Sequence, residues 1–396
     1  MQCFELSNGL KVYVDKKESE TVGVAIAIGV GSLYEDPEKR GLSHLIEHML
    51  FKSNEKYSAL EISKIIEYSG GEANAFTSYD AIIIVAEVLP DVYSRVIDVL
   101  YSMYVNNKYL EKEFEDEKHV VLTEVKKYMN NPEDWISYLG LIALFGKSDY
   151  GDPCTGYPET LENISLDETL EFKEKHFIAE NTVVVLTGAV SNKIIEETLK
   201  YFSNVPSGKV YRKKPVRSES REIVEKRDNI DQAYLSFAAT APGYTVPNYI
   251  ISDYLTFNLT EGATSLLYTK LREERGLVYD FYSEYDLFAD LGYLQVTIPG
   301  IPLSRLDEVI SLTEDILNQI KLGEIESDYF EKRIKYYEYT IKTSYRSMFS
   351  RALLEAHTAI KGSIVEPEYF IEKLFLEKLY DSAITSNFIK ALILPN

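Results

Sequence analysis

Apolar and polar positions alternate along the first half of the chain in two rhythms. Gly9-Leu10-Lys11-Val12-Tyr13-Val14 changes sides at every residue, as a half-buried strand does. Residues 22–30 form a mostly apolar run of strand length, and Gly29, Gly31 and Pro37 mark the turns after it. Residues 41–52 and 58–68 read as helices, the second stopped by Gly70-Gly71. Residues 76–89 are β-rich, as one long strand or a pair, and end at Pro90. An amphipathic helix is expected over 91–104. A long charged helix is expected over 109–129, ending before Asn130-Asn131-Pro132. Another helix spans 166–176, and a buried-type strand spans 182–190.

The same order returns after a polar, basic stretch. Residues 207–221 carry Lys209, Arg212, Lys213, Lys214, Pro215 and Arg217 without an apolar period, so they read as a linker. Beyond it come a strand at 233–239 and helices at 249–259 and 266–275. Two strands lie within 278–299, an amphipathic helix at 303–320 and a long charged helix at 327–343. Tyr109-Leu110-Glu111-Lys112-Glu113-Phe114 and Asp328-Tyr329-Phe330-Glu331-Lys332-Arg333 each open a long helix after an amphipathic one. An internal duplication of about 200 residues accounts for this. The expected domains are 1–206, a linker at 207–221, and a homologous 222–396.

With 396 residues and 45 % hydrophobic content, the chain has the composition of a globular protein. A net charge of −21 repels phosphate backbones, which argues against nucleic acid as a partner. Cys3 and Cys154 are too few for a disulfide framework and too far apart for a cysteine-based zinc site. No apolar run reaches the roughly 20 residues of a membrane span. No basic, apolar leader precedes the first strand either. A cytoplasmic protein without membrane association is expected.

The chemistry concentrates in His44-Leu45-Ile46-Glu47-His48. Two imidazoles four residues apart share one face of a helix and can point at one ion. Glu47 leans over the same spot. Neutral nitrogens to hold zinc, beside a carboxylate to take a proton from water, form the set a zinc hydrolase needs. Such a site is one protein ligand short. Glu117 and Glu124, two turns apart on one face of the long charged helix, are the candidates. The second half has no histidine pair, so it cannot hold the same metal. His119, His176 and His357 have no partner pattern.

The inverted His-x-x-Glu-His order is the inverzincin signature, and here the chain resembles the pitrilysin family of zinc peptidases. That family includes insulin-degrading enzyme and the mitochondrial processing peptidase. The likeness covers nearly the whole chain: Leu6 to Leu10, Gly31 to Glu35, Gly41 to Lys52, Gly70 to Ser78, the Glu117/Glu124 pair, and Leu271 to Tyr279. Tyr150-Gly151-Asp152-Pro153 departs from a loop in which His-Pro is common.

The resemblance implies an α+β chain of two homologous domains. Each would be a mostly antiparallel sheet packed with helices, as in the mitochondrial processing peptidase. It implies Zn2+ held by His44, His48 and Glu124, with Glu47 as the base and Glu117 in support. Asn74, Ala75, Phe76 and Thr77 would offer a strand edge to an extended peptide. Arg272 and Tyr279 would reach over the substrate. The implied activity is zinc-dependent endopeptidase action on peptides or unfolded polypeptide segments, within the chamber of a homodimer. A heterodimer with a related subunit is the other assembly. The rival functions are a non-catalytic assembly subunit of the same fold and a structural zinc protein. The intact Glu47 and the lack of cysteine ligands argue against both.

Overall fold

The computed structural model describes residues 1–372, 374 and 383–396. The first repeat runs β1 (Gln2–Glu5), β2 (Lys11–Lys16), β3 (Val22–Ile28), α1 (Leu42–Leu50), α2 (Ala59–Tyr68), β4 (Glu72–Thr77), β5 (Ile82–Val88), α3 (Tyr93–Val105), α4 (Glu111–Asn130), α5 (Pro132–Phe145), α6 (Pro158–Leu161), α7 (Leu166–His176), β6 (Thr182–Gly188) and α8 (Asn192–Phe202). The second runs β7 (Ile223–Arg227), β8 (Gln232–Pro242), α9 (Val246–Thr260), β9 (Tyr282–Leu287), β10 (Leu291–Pro302), α10 (Leu306–Lys321), α11 (Ser327–Ser344), α12 (Met348–Ile360), α13 (Tyr369–Glu372) and β11 (Ile389–Pro395). The β-rich run at 76–89 resolves into the β4–β5 hairpin, paired from Glu72 opposite Glu87 to Thr77 opposite Ile82.

The duplication is written into the strand order. One sheet runs β1-β2-β6-β3-β5-β4, and the other runs β7-β11-β8-β10-β9. In each, a single parallel pair stands towards one edge, β2 with β6 and β7 with β11, and the remaining pairs are antiparallel. The expected α+β class of two like domains holds. Central strands β3 and β6 are buried at every position, which is why they read as continuous apolar runs rather than alternating ones.

The compact units are not contiguous in sequence. One comprises Met1–Lys126, Pro153–Pro215 and Ser344–Glu366. The other comprises Lys127–Asp152, Val216–Thr343 and Pro367–Asn396. They do not coincide with the expected 1–206 and 222–396, because each repeat places one helix on the other repeat's sheet. Ala352, Ala356 and Ala359 of α12 pack on Ala25, Ala27, Val85 and Val185 of the first sheet. Helix α5 lies on β8, β10 and β11. At Gly140 in α5 an added Cβ would sit 2.3 Å from the Ser236 hydroxyl, so this helix approaches the strands more closely than any side chain permits. Within residues 207–221 there is no helix or strand, and a boundary between the units falls after Pro215.

Candidate metal centre

Helix α1 begins at a strained corner. Gly41 precedes it at φ 95°, a left-handed value that favours glycine. The orphan N–H groups of its first turn are met from a distance. Glu35 accepts from the Gly41 amide at 2.9 Å and from the Ser43 amide at 2.5 Å. Burial pushes Glu35 up to about 7, against the opposing pull of those amides and of the Arg40 guanidinium. This distant cap fixes the helix start just before His44.

His44, Glu47 and His48 then fall on one side of α1, where α4 faces them. The rings of His44 and His48 lie 4.7 Å apart, nearly perpendicular. Glu124 Oε2 of α4 stands 3.3 Å from His48 Nε2 and 3.7 Å from His44 Nε2. One ligand atom from each of His44, His48 and Glu124 lies within 4.8 Å of the others. Glu47 Oε2 is 3.6 Å from His44 Nδ1. Glu117 Oε1 is 2.8 Å from His48 Nδ1, and its other oxygen is ion-paired with Lys52. Burial opposes ionisation of Glu117, but His48 and Lys52 overcome it and hold the carboxyl below its ordinary range.

The set fits a divalent metal. His44 Nε2 is buried without a hydrogen-bond partner, although it faces two other donor atoms. Burial works against a charged imidazole there, yet the carboxylates of Glu124 and Glu47 prevail and hold His44 up at about 9. A cation is wanted at that spot, and a proton serves when no ion does. Metal binding would release that proton. Two imidazoles and one carboxylate leave a position open, as catalytic sites do and structural ones do not.

Strand β4 forms the edge of its sheet, paired only with β5 among the described residues. Thr77 Oγ1 donates to the Ser43 carbonyl at 3.4 Å, which ties the strand to α1 beside the histidines. Ala75 is buried, whereas Asn74 and Phe76 are exposed. The edge strand therefore runs beside the helix that carries the two histidines. Arg272 and Tyr279 belong to the second unit. The helix expected over 266–275 is π-helical at Tyr268–Glu273, and Arg272 lies on it. Its guanidinium donates to the Tyr279 carbonyl at 3.1 Å and stacks 4.7 Å from that ring, which is 80 % exposed. Tyr150, in the departing loop, is a core residue that donates to Asp290 at 2.7 Å.

In the second unit α9, α11 and β9 occupy the places of α1, α4 and β4. There the half-buried Asp253 accepts from Tyr337 at 2.5 Å and Tyr285 at 3.0 Å. Arg333 donates to Asn258 Oδ1 at 2.8 Å and to the Glu261 carbonyl at 2.6 Å. A hydrogen-bonded lock stands where the first unit has its candidate metal ligands. Sequence reasoning gave no role to Glu35, Lys52 or Glu113. Glu113 was findable, since it lies one turn before Glu117 on the same face. No helical spacing points to Glu35.

Histidines and carboxylates converging between two helices, beside an edge strand, are the arrangement a metal-dependent hydrolase requires. The family models agree. Residues 11–148 match the insulinase model of peptidase family M16, and residues 163–337 match that family's inactive-domain model. The chain belongs to peptidase family M16. A Bacillus subtilis protein named as an uncharacterized zinc protease is 28 % identical over 83 % of this chain and 80 % of its own length. One of the same description from Rickettsia bellii is 25 % identical over 97 % of this chain and 93 % of its own. A protease structure from Helicobacter pylori superposes with a TM-score of 0.88 at 20 % identity, over 100 % of this chain and 99 % of that one. At that identity the likeness speaks for the fold. Among the described residues no helix is long and apolar enough to cross a membrane.

Proposed function

We propose that the chain is a zinc metalloendopeptidase that cuts peptides and unfolded polypeptide segments. The observation that carries this is the convergence of His44, His48 and Glu124 with Glu47 beside them. Zinc held by those three residues would polarise the scissile carbonyl and make water a nucleophile near neutral pH. Glu47 takes the proton from the attacking water and returns it to the leaving amine. Glu117 holds the Nδ1 side of His48, leaving Nε2 for the metal. The β4 edge at Asn74–Thr77 adds an extended peptide as a further strand, so folded domains are refused. Both cysteines are free thiols, in keeping with a cytoplasmic setting.

The test is cleavage of an unstructured peptide mixture. Activity should vanish on chelation and return with zinc, while a stable folded domain stays intact. Cleavage that survives complete metal removal, or rapid internal cutting of the folded domain, would count against this reading.

The half-buried Arg272 and the exposed Tyr279 form the other half of the reading. We take them to reach the substrate across a homodimer of two composite sites. Glu47→Gln and Arg272→Ala chains should each be nearly inactive alone. After subunit exchange, mixed dimers hold one complete site and activity should reappear. Proven mixing without rescue would reject the shared site and leave the metal chemistry untouched.

A further inference from the structure

The acidic stripe on α4 reaches further along α1 than metal binding requires. Glu113, Glu117 and Glu124 lie four and seven residues apart, on one face. Only Glu124 turns an oxygen to both histidines. Glu117 gives one oxygen to His48 at 2.8 Å and the other to the Lys52 ammonium. At the next residue, Ser53 donates its amide to Glu113 at 3.1 Å and its hydroxyl at 2.6 Å. The chain turns tightly between these points. Phe51 N–H reaches the His48 carbonyl at 3.3 Å, and Lys52 N–H reaches that of Met49 at 3.1 Å. The end of α1 is thus fastened to α4 at two successive residues.

We propose that Lys52 is a positioning residue of the zinc site, acting on the metal through Glu117. The proposal rests on the zinc reading above. A carboxylate held by one contact can rotate about its last bond. With the Lys52 ammonium on Oε2, Oε1 is left facing His48 Nδ1. That nitrogen then carries the proton, and the Nε2 lone pair points towards Glu124 and the ion. Lys52 also sets a positive charge against the stripe of carboxylates, on the side away from the metal. The side chains of Lys52 and Glu117 are 26 % and 12 % exposed, so water competes weakly for the pair. The Ser53–Glu113 clamp keeps the turn that presents the lysine.

Zinc affinity, read by competition with a chromophoric chelator, tests this on full-length chains. The set is wild type, Lys52→Met, Lys52→Arg, Glu117→Gln and the Lys52→Met/Glu117→Gln double variant. Removing a group behind a ligand typically costs 10–100-fold. Lys52→Met should fall about 10-fold, at the lower end, because it acts one residue further out. Lys52→Arg should recover most of the loss. The double variant should bind no more weakly than Glu117→Gln, since the lysine acts on the metal through Glu117. In cobalt-substituted protein, Lys52→Met should shift the ligand-field absorption, and Lys52→Arg should not. Equal affinity and equal spectra for wild type and Lys52→Met would overturn the proposal. So would losses that simply add in the double variant. A metal-free Lys52→Met protein that melts lower while its zinc affinity is unchanged would mark the lysine as structural and equally reject it. A wild-type chain that takes up no zinc would overturn the metal reading itself, a result visible before any variant is compared.

Discussion

Glu47→Gln should keep its metal and lose turnover by about 10²–10⁴-fold, the range a positioned general base supplies. Glutamine preserves the length and shape of the side chain, so the position 3.6 Å from His44 can be retained. His44, His48 and Glu124 are untouched. What disappears is the capacity to accept a proton from water and hand it to the departing amine. Zinc content measured alongside kcat separates the two roles. A fully metallated but inactive variant supports the base. A fully active one would remove Glu47 from the mechanism, and a metal-depleted one would make it part of the binding set. The same variant discriminates between an enzyme and a non-catalytic subunit of this fold, because an assembly role has no need of a proton acceptor at that atom.

The elements that carry strong periodicity were legible in the sequence. Helix α7 was expected over 166–176 and spans Leu166–His176. The long charged helices were within one or two residues of α4 and α11. What was not legible is α5. Asn130-Asn131-Pro132 read as a stop, and it is also a start. The Asn131 side chain accepts from the Glu133 amide at 3.1 Å, and Pro132 takes the first helical position. The helix that follows is apolar on nearly every side because it is buried, so no amphipathic stripe announces it. Helix α12 went unread as well. Together these two explain why the compact units ignore the sequence boundary. A pattern along the chain reports which face an element buries, but not which repeat's sheet receives it.

The metal centre was legible because its residues are chemically unusual and lie at helical spacing. Histidine is rare in this chain, with five in 396 residues, and two of them four apart stand out. Glu124 was placed by the family pattern, and the structure brings it to the pair. The groups that support the site were not legible, because their types are commonplace. A lysine at a helix end or a glutamate in a loop is usually a solvated residue. Only the fold shows Lys52 on Glu117, or Glu35 buried against the first turn of α1. The second repeat shows what the same helix pair does without such chemistry. Asp253, Tyr285, Tyr337 and Arg333 close it with hydrogen bonds that need no ion.

That contrast sets the last expectation. Glu124→Ala should abolish stable zinc binding, whereas Glu117→Ala should weaken it by roughly 10–100-fold, the usual cost of a supporting residue. Among the described residues, Glu124 is the only carboxylate with an oxygen directed at both histidines, at 3.3 and 3.7 Å. Without it, two imidazoles must hold the ion alone, one ligand fewer than a catalytic zinc site uses. Of the two histidines Glu117 meets His48 alone, at Nδ1, on the side of the ring away from the site. Its loss leaves all three donors in place and frees the ring to turn. Metal analysis after dialysis, paired with chelator titration, distinguishes the outcomes. Equal zinc content in Glu124→Ala and wild type would reject the ligand assignment. A Glu117→Ala chain as empty as Glu124→Ala would mean that orientation of His48 counts for as much as a metal–ligand bond.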